Sequence, residues 1–283
     1  MKRWVRRLSE SGMTSASLNT ETPPKRSLAE RIRDILRKRG LLGLIQAAAF
    51  EATAPLLYHP WVLATVFCPL LRWSRRNWWF AINGCRYRYF YHPYNTTWRV
   101  ERAVEIPPAL AAMRHYRGSR ILEIGNVLAH YTDIQHDVLD KYEDAPHVIR
   151  ADAVTYSTHR RYDLIISIST VEHIGWDEQP RRPRRSLQAL EHFHTLLAPG
   201  GAMLVSAPLG YNATLDELLL QGRLPFERVH CLRRVSADNR WEEVAPALAA
   251  ACPYGQPWNG ASAVWFGCVN RALFTQLTLA QRK

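Results

Sequence analysis

Five short apolar runs, RILEIG, HDVLD, HVIRAD, YDLIISIS and GAMLVSAP, follow one another between Arg120 and Pro208, separated by polar or helix-like stretches. No other feature restricts the fold as tightly. Short runs of this kind, bounded by turn residues, suit strands buried on both faces, and such strands need helices above and below them. The pattern predicts an α/β fold: a doubly wound, mostly parallel, Rossmann-like sheet. Ligands of such sheets sit beyond the carboxyl ends of the strands, so the residues that close each run are the candidates for a site.

The first run closes on Glu123-Ile124-Gly125-Asn126. A glycine where a strand turns towards a helix lets backbone approach a ligand, and the nearby carboxylate suits the ammonium of an amino-acid moiety. An ordinary turn after a buried strand has the same appearance. Asp140 closes the second run, where a carboxylate accepts ribose hydroxyls. A dinucleotide would want GxGxxG in the first loop, and GNVLAH has one glycine. Asp152 ends the third run, either to contact an adenine amino group or as an exposed loop carboxylate. LLAPGG is expected to stop a helix just before the fifth strand.

In the order of these elements the chain resembles the class I S-adenosylmethionine (SAM) dependent methyltransferases, over about Ile106 to Val269. YDLIISISTVEH and LLAPGGAMLVSAP are the most specific stretches. YNTTWRVERAVEIP, LEIGNVLAHY and HDVLDKYE are further similar to an uncharacterised bacterial group associated with cell-surface polysaccharide synthesis. The resemblance implies SAM as cofactor. It implies that Glu123, Gly125 and Asn126 hold its methionine part, Asp140 the ribose, and Asp152 with Ala153 the adenine, with Ser167 and Ser169 lining the floor near the methyl group.

Methyl transfer is an in-line displacement, so the protein's task is alignment and exclusion of water, with a general base for a hydroxyl acceptor. His173, just past the fourth run, is the first candidate base, and His130, after the glycine loop, is the second. On position alone the alternative is a histidine that caps a helix or satisfies a core carbonyl, and Glu172 either orients His173 or bonds to backbone. His192 and His194 point to different faces of a helix, and the five scattered cysteines form no CxxC pair, so no metal site is expected. Tyr94, Asn95, Arg99, Arg102 and Glu105 before the first strand, with Tyr211 and Asn212 after the fifth, offer the polar and aromatic groups that suit sugar hydroxyls and ring faces. A solvated loop is the alternative.

The formal net charge of +12 belongs to the N-terminal third, where residues 1–102 carry 18 Lys/Arg against 6 Asp/Glu. That asymmetry points to an anionic partner for one segment and disfavours nucleic-acid binding by the whole. Residues 1–26 read as a flexible basic terminus whose opening, MKRWVRRLSE, lacks the apolar core of a signal peptide. Residues 27–78 read as a basic amphipathic helix over Ser27–Gly40 followed by an apolar stretch, Ala52–Leu71. Pro55, Pro60 and Pro69 argue against a bilayer crossing there. The rim of Arg72, Arg75, Arg76, Trp73, Trp78 and Trp79 fits insertion into one leaflet, and a helical subdomain or dimer face fits as well. Residues 79–105 are expected to form a hairpin at Asn83-Gly84 and a substrate loop, and residues 106–283 the methyltransferase-like domain.

The combined expectation is O-methylation of a glycan or glycolipid precursor by a cytoplasmic enzyme, peripheral on the inner face of the membrane. The alternative is a non-catalytic scaffold of the same fold in a membrane-associated biosynthetic complex.

Overall fold

The structure is a computed structural model that describes residue 59, residues 62–270, and residues 273, 274 and 277. The expected basic terminus, the helix over residues 27–40 and the first half of the apolar stretch lie outside the described residues. Leu63–Lys283 forms one compact unit.

The unit opens with a π-helical turn, Leu63–Phe67, that runs into helix α1, Cys68–Ser74. Strands β1 (Trp79–Ile82) and β2 (Cys85–Arg88) then form the expected hairpin, with Ile82 opposite Cys85. Its two central residues, Asn83 and Gly84, both have positive φ, 49° and 76°, as a two-residue turn matched to strand twist demands. A 3-10 turn, Tyr94–Arg99, leads to helix α2, Arg102–His115. Pro107 within α2 lacks the N–H that would bond Ala103 four residues back. The Phe90 amide takes that carbonyl instead, at 2.9 Å. The break in the helix ladder thus docks the hairpin's exit onto α2.

The five apolar runs become β3 (Ile121–Ile124), β4 (Asp137–Asp140), β5 (Val148–Arg150), β6 (Tyr162–Ile168) and β7 (Leu197–Pro208). After them come β8 (Arg228–Arg234), β9 (Trp241–Val244) and β10 (Ala263–Val269). The eight strands from β3 onwards make one sheet in the order β5-β4-β3-β6-β7-β10-β8-β9. The first five are mutually parallel, and β10 inserts antiparallel between β7 and β8.

Alternation along the strands sorts two cores. Leu164, Ile166, Ile168, Leu204 and Phe266 face α2 and the hairpin. Ile165, Met203, Val205 and Trp265 face helices α3 (Arg185–Leu196), α4 (Ala213–Leu220) and α5 (Pro246–Ala250). Helix α3 ends four residues before Gly200, and the PGG segment lies inside β7, where the register with β6 slips between Tyr162 and Leu164. The crossover from β3 to β4 holds a single 3-10 turn, Leu128–His130, because twelve residues between the strands are too few for a full covering helix.

Candidate active site

A cavity of about 480 Å³ opens at the carboxyl ends of β3, β4, β5 and β6, within the size range of small-molecule sites. Its walls come from Ile124 and Gly125, from Leu139 to Tyr142, from Ala151 to Ala153, and from the segment after β6 that carries Ser169, Thr170, His173, Ile174, Asp177 and Glu178.

Gly125 is required there twice over. Its φ is +85°, and a Cβ would stand 2.2 Å from Thr170 Oγ1, so backbone alone fits between the strand and the opposite wall. The loop beyond it is held by Glu123, which is fully buried. One carboxylate oxygen accepts the amides of Val127 and Leu128 at 2.9 and 2.7 Å, and the other meets His136 Nε2 at 2.8 Å. With both oxygens engaged, Glu123 organises the glycine loop and does not line the cavity. Asn126 is also turned inward: it is buried, its side chain meets His147 at 3.3 Å, and its amide donates to Asp140.

Asp140 lines the cavity. It accepts the amides of Tyr142 and Glu143 on one oxygen, both at 2.8 Å, and that of Asn126 on the other at 3.3 Å. Three of about four lone-pair sites are used, and one acceptor position remains for a ligand hydroxyl. Asp152 and Ala153 lie on the cavity wall. The Asp152 carboxylate pairs with Lys141 at 3.0 Å and Arg185 at 2.6 Å, and Lys141 continues to Glu178 at 2.6 Å. Burial pushes the Asp152 carboxyl up, but the Val154 amide and the two cations outweigh it and hold it below the usual range.

Ser169 reaches the cavity at φ +39° and donates to Glu105, whereas Ser167 is buried and donates to the Ile124 carbonyl between the strands. His130 is not among the cavity walls. It stacks on Tyr94, with ring centroids 4.3 Å apart, in an aromatic group that includes Tyr131.

His173 does line the cavity, with a carboxyl on each side. Nδ1 meets Asp177 Oδ2 at 2.6 Å, and Nε2 stands 3.5 Å from Glu172 Oε1. Tyr211 packs edge-on against the ring and donates its hydroxyl to the same Asp177 oxygen at 2.8 Å. Burial and the adjacent carboxylate push the Tyr211 phenol up, so it stays a donor at neutral pH. The backbone beneath is pinned by Asn212, whose amide group donates to the Glu172 carbonyl while its oxygen caps α4 through the amides of Thr214 and Leu215. Asn212 is therefore a structural cap, fully buried.

Of the other expected acceptor residues, Arg102 and Glu105 form a buried ion pair, and Glu105 also accepts the hydroxyls of Ser169 and Ser206. Arg99 is exposed, and its carbonyl accepts from Arg234. Asn95 is exposed with φ 53° in the turn before α2. The sequence reading missed Thr170, Lys141, Glu178 and Asp177. Asp177 carried a usable signal, since it stands four residues after His173.

A parallel five-strand set extended by the antiparallel β10, inserted between β7 and β8, with the site at the carboxyl edge, defines a Rossmann-like methyltransferase fold. No family model matches the sequence, and no curated protein matches it. Solved structures of similar fold include N-methyltransferase NodS from Bradyrhizobium japonicum WM9 with S-adenosyl-L-homocysteine (14% identity, 57% of this chain and 82% of that one, TM-score 0.35). A possible histamine N-methyltransferase from Thermotoga maritima is 12% identical over 56% of this chain and 85% of that one, with TM-score 0.35. The sugar N-methyltransferase KedS8 from Streptoalloteichus sp ATCC 53650 is 10% identical over 56% and 83%, with TM-score 0.28. The strand order, and not these likenesses, defines the fold.

Proposed function

We propose that the protein binds SAM in the cavity above β3–β6 and transfers its methyl group to a hydroxyl of a glycan or glycolipid precursor. The observation that carries this reading is the cavity at the carboxyl ends of β3–β6, bordered by Gly125, whose φ of +85° and contact with Thr170 admit backbone alone, and by Asp140, which keeps one acceptor position. SAM supplies an electrophilic methyl on a sulfonium. The Gly125 backbone and the wall at Thr170 accommodate the amino-acid end, Asp140 takes a ribose hydroxyl, and Ala153 with the Asp152 region borders the adenine. Asp177 fixes the proton on His173 Nδ1, which leaves the Nε2 lone pair to receive a proton from the acceptor hydroxyl. Tyr211, whose ring packs against His173, borders the acceptor side. Titration of the full-length protein with SAM and S-adenosylhomocysteine tests the reading.

The membrane part of the proposal draws on α1 and the hairpin. Val66, Leu70 and Trp73 are exposed, 54%, 55% and 66%, at helical spacing, and Arg72 and Arg76 flank them. On the hairpin, Arg86 and Arg88 lie over the Trp79 ring. Aromatic and apolar side chains edged by arginine suit the surface of an anionic bilayer. No helix among the described residues is long and apolar enough to cross a membrane. A non-catalytic scaffold is the second reading. The engagement of Glu123 and Asp152 by internal partners favours it, and saturable SAM binding opposes it.

A further inference from the structure

Glu172 is 1% exposed, and its Oε2 has no hydrogen-bond partner among the described residues. A buried carboxyl oxygen left unpartnered costs stability, so its retention beside the site calls for a role. The other oxygen faces His173 Nε2 at 3.5 Å, and the far nitrogen of the same ring holds Asp177 at 2.6 Å. His173 and Asp177 are each 47% exposed. One imidazole therefore stands between a sealed carboxyl and a carboxylate open to solvent.

We infer that Glu172 is a second proton-carrying group of this site, exchanging its proton with solvent through His173 and Asp177. An imidazole takes a proton on one nitrogen while releasing one from the other, so Glu172 communicates with water without leaving the core. The long Nε2 contact is of the kind that tightens once a ligand fills a site. The groups that face Glu172 are Glu101, just before α2, Arg102 and Glu105 from α2, Tyr211 and Tyr254 from the loops beyond β7 and α5, and His173. Arg102 is paired with Glu105, so it offsets Glu172 only in part. Burial first, then Glu105 and Glu101, push the Glu172 carboxyl well above the usual range, towards the pH at which an acid accepts and returns a proton readily.

The step rests on the methyl-transfer reading; the coupling among the three groups does not. As the acceptor oxygen bonds to the methyl carbon, the carbon–sulfur bond breaks and its electron pair stays on sulfur. The acceptor's proton passes to His173 Nε2, where it exchanges with Glu172, while the Nδ1 proton moves to Asp177 and on to water. One proton is released for each methyl transferred.

Nitrogen-15 NMR of histidine-labelled full-length protein without ligand reads the coupling directly. Two interacting sites titrate in two macroscopic steps. The His173 ring is expected to show both, Glu172→Gln is expected to leave one, and Asp177→Asn, at an exposed position, is expected to move the proton off Nδ1. The other histidines report whether each variant stays folded, and Glu172→Asp, expected to restore the second step, is the backup should Gln fail to fold. A single His173 step that is the same in wild type and Glu172→Gln overturns the inference. If turnover is measurable, Glu172→Gln is expected to lower kcat ten-fold or more and remove one limb of its pH profile with KM for SAM unchanged; an unaltered profile overturns it too. Absence of SAM binding would remove the methyl-transfer step and leave the titration result standing.

Discussion

At the scale of single residues, the position of Gly125 after a strand suggested a close backbone approach to a ligand. The structure shows a close approach within the chain: Thr170, 45 positions along, occupies the space of a Cβ, so no other residue serves. Gly125→Ala is expected to cost about 1–2 kcal/mol for the left-handed backbone alone, with more from the clash. It should also weaken SAM binding at least ten-fold, with denaturant melts and calorimetry reading the two effects separately. Thr170 was not legible beforehand, since nothing local ties it to Gly125. Glu123 is a parallel case. The carboxylate was expected to hold an ammonium, but its partners are Val127, Leu128 and His136, and a one-dimensional pattern cannot distinguish a carboxylate that holds a loop from one that holds a ligand. His130 and Asn212 diverge from expectation for the same reason, one stacked on Tyr94 and the other capping a helix.

At the scale of elements, all five apolar runs became strands, and Asn83-Gly84 became the hairpin turn, because periodicity and turn chemistry are local properties. The β3–β4 crossover is visibly too short in the sequence for a full helix, but the 3-10 turn and the Glu123 bonds that fill it were not legible. The segment after β6 was also obscure: its irregular backbone is what places His173, Asp177 and Glu178 on one cavity wall. Helix α4 carries a testable charge conflict. Asp216 in its first turn accepts the Gly210 amide, but burial pushes its carboxyl up from 3.8 to about 6. Because the folded value lies above the unfolded one, the folded state holds this proton more strongly. The stability it contributes is full below about pH 4 and lost as pH rises through about 6. Asp216→Asn keeps an acceptor and removes the charge, so its melting temperature relative to wild type should rise between pH 4 and 7 and then level off. A constant difference across that range would contradict the burial account.

At the scale of the whole molecule, charge and chemistry are separated along the chain. The excess of Lys/Arg lies in residues 1–102, and the cavity lies in the strands that follow. Flotation of full-length protein with phosphatidylglycerol vesicles is expected to show salt-sensitive binding, absent with phosphatidylcholine and reduced several-fold by Trp73→Asp or Arg76→Glu. Equal flotation of wild type and both variants would place the contact elsewhere. Whether the fold still serves chemistry depends on the cavity at Gly125, and isothermal calorimetry of the full-length protein with S-adenosylhomocysteine measures that most directly. Saturable binding of one molecule per chain, displaced by SAM and lost in Gly125→Ala, is the expected result. No heat of binding at millimolar ligand, from protein that melts cooperatively, would contradict the methyltransferase assignment.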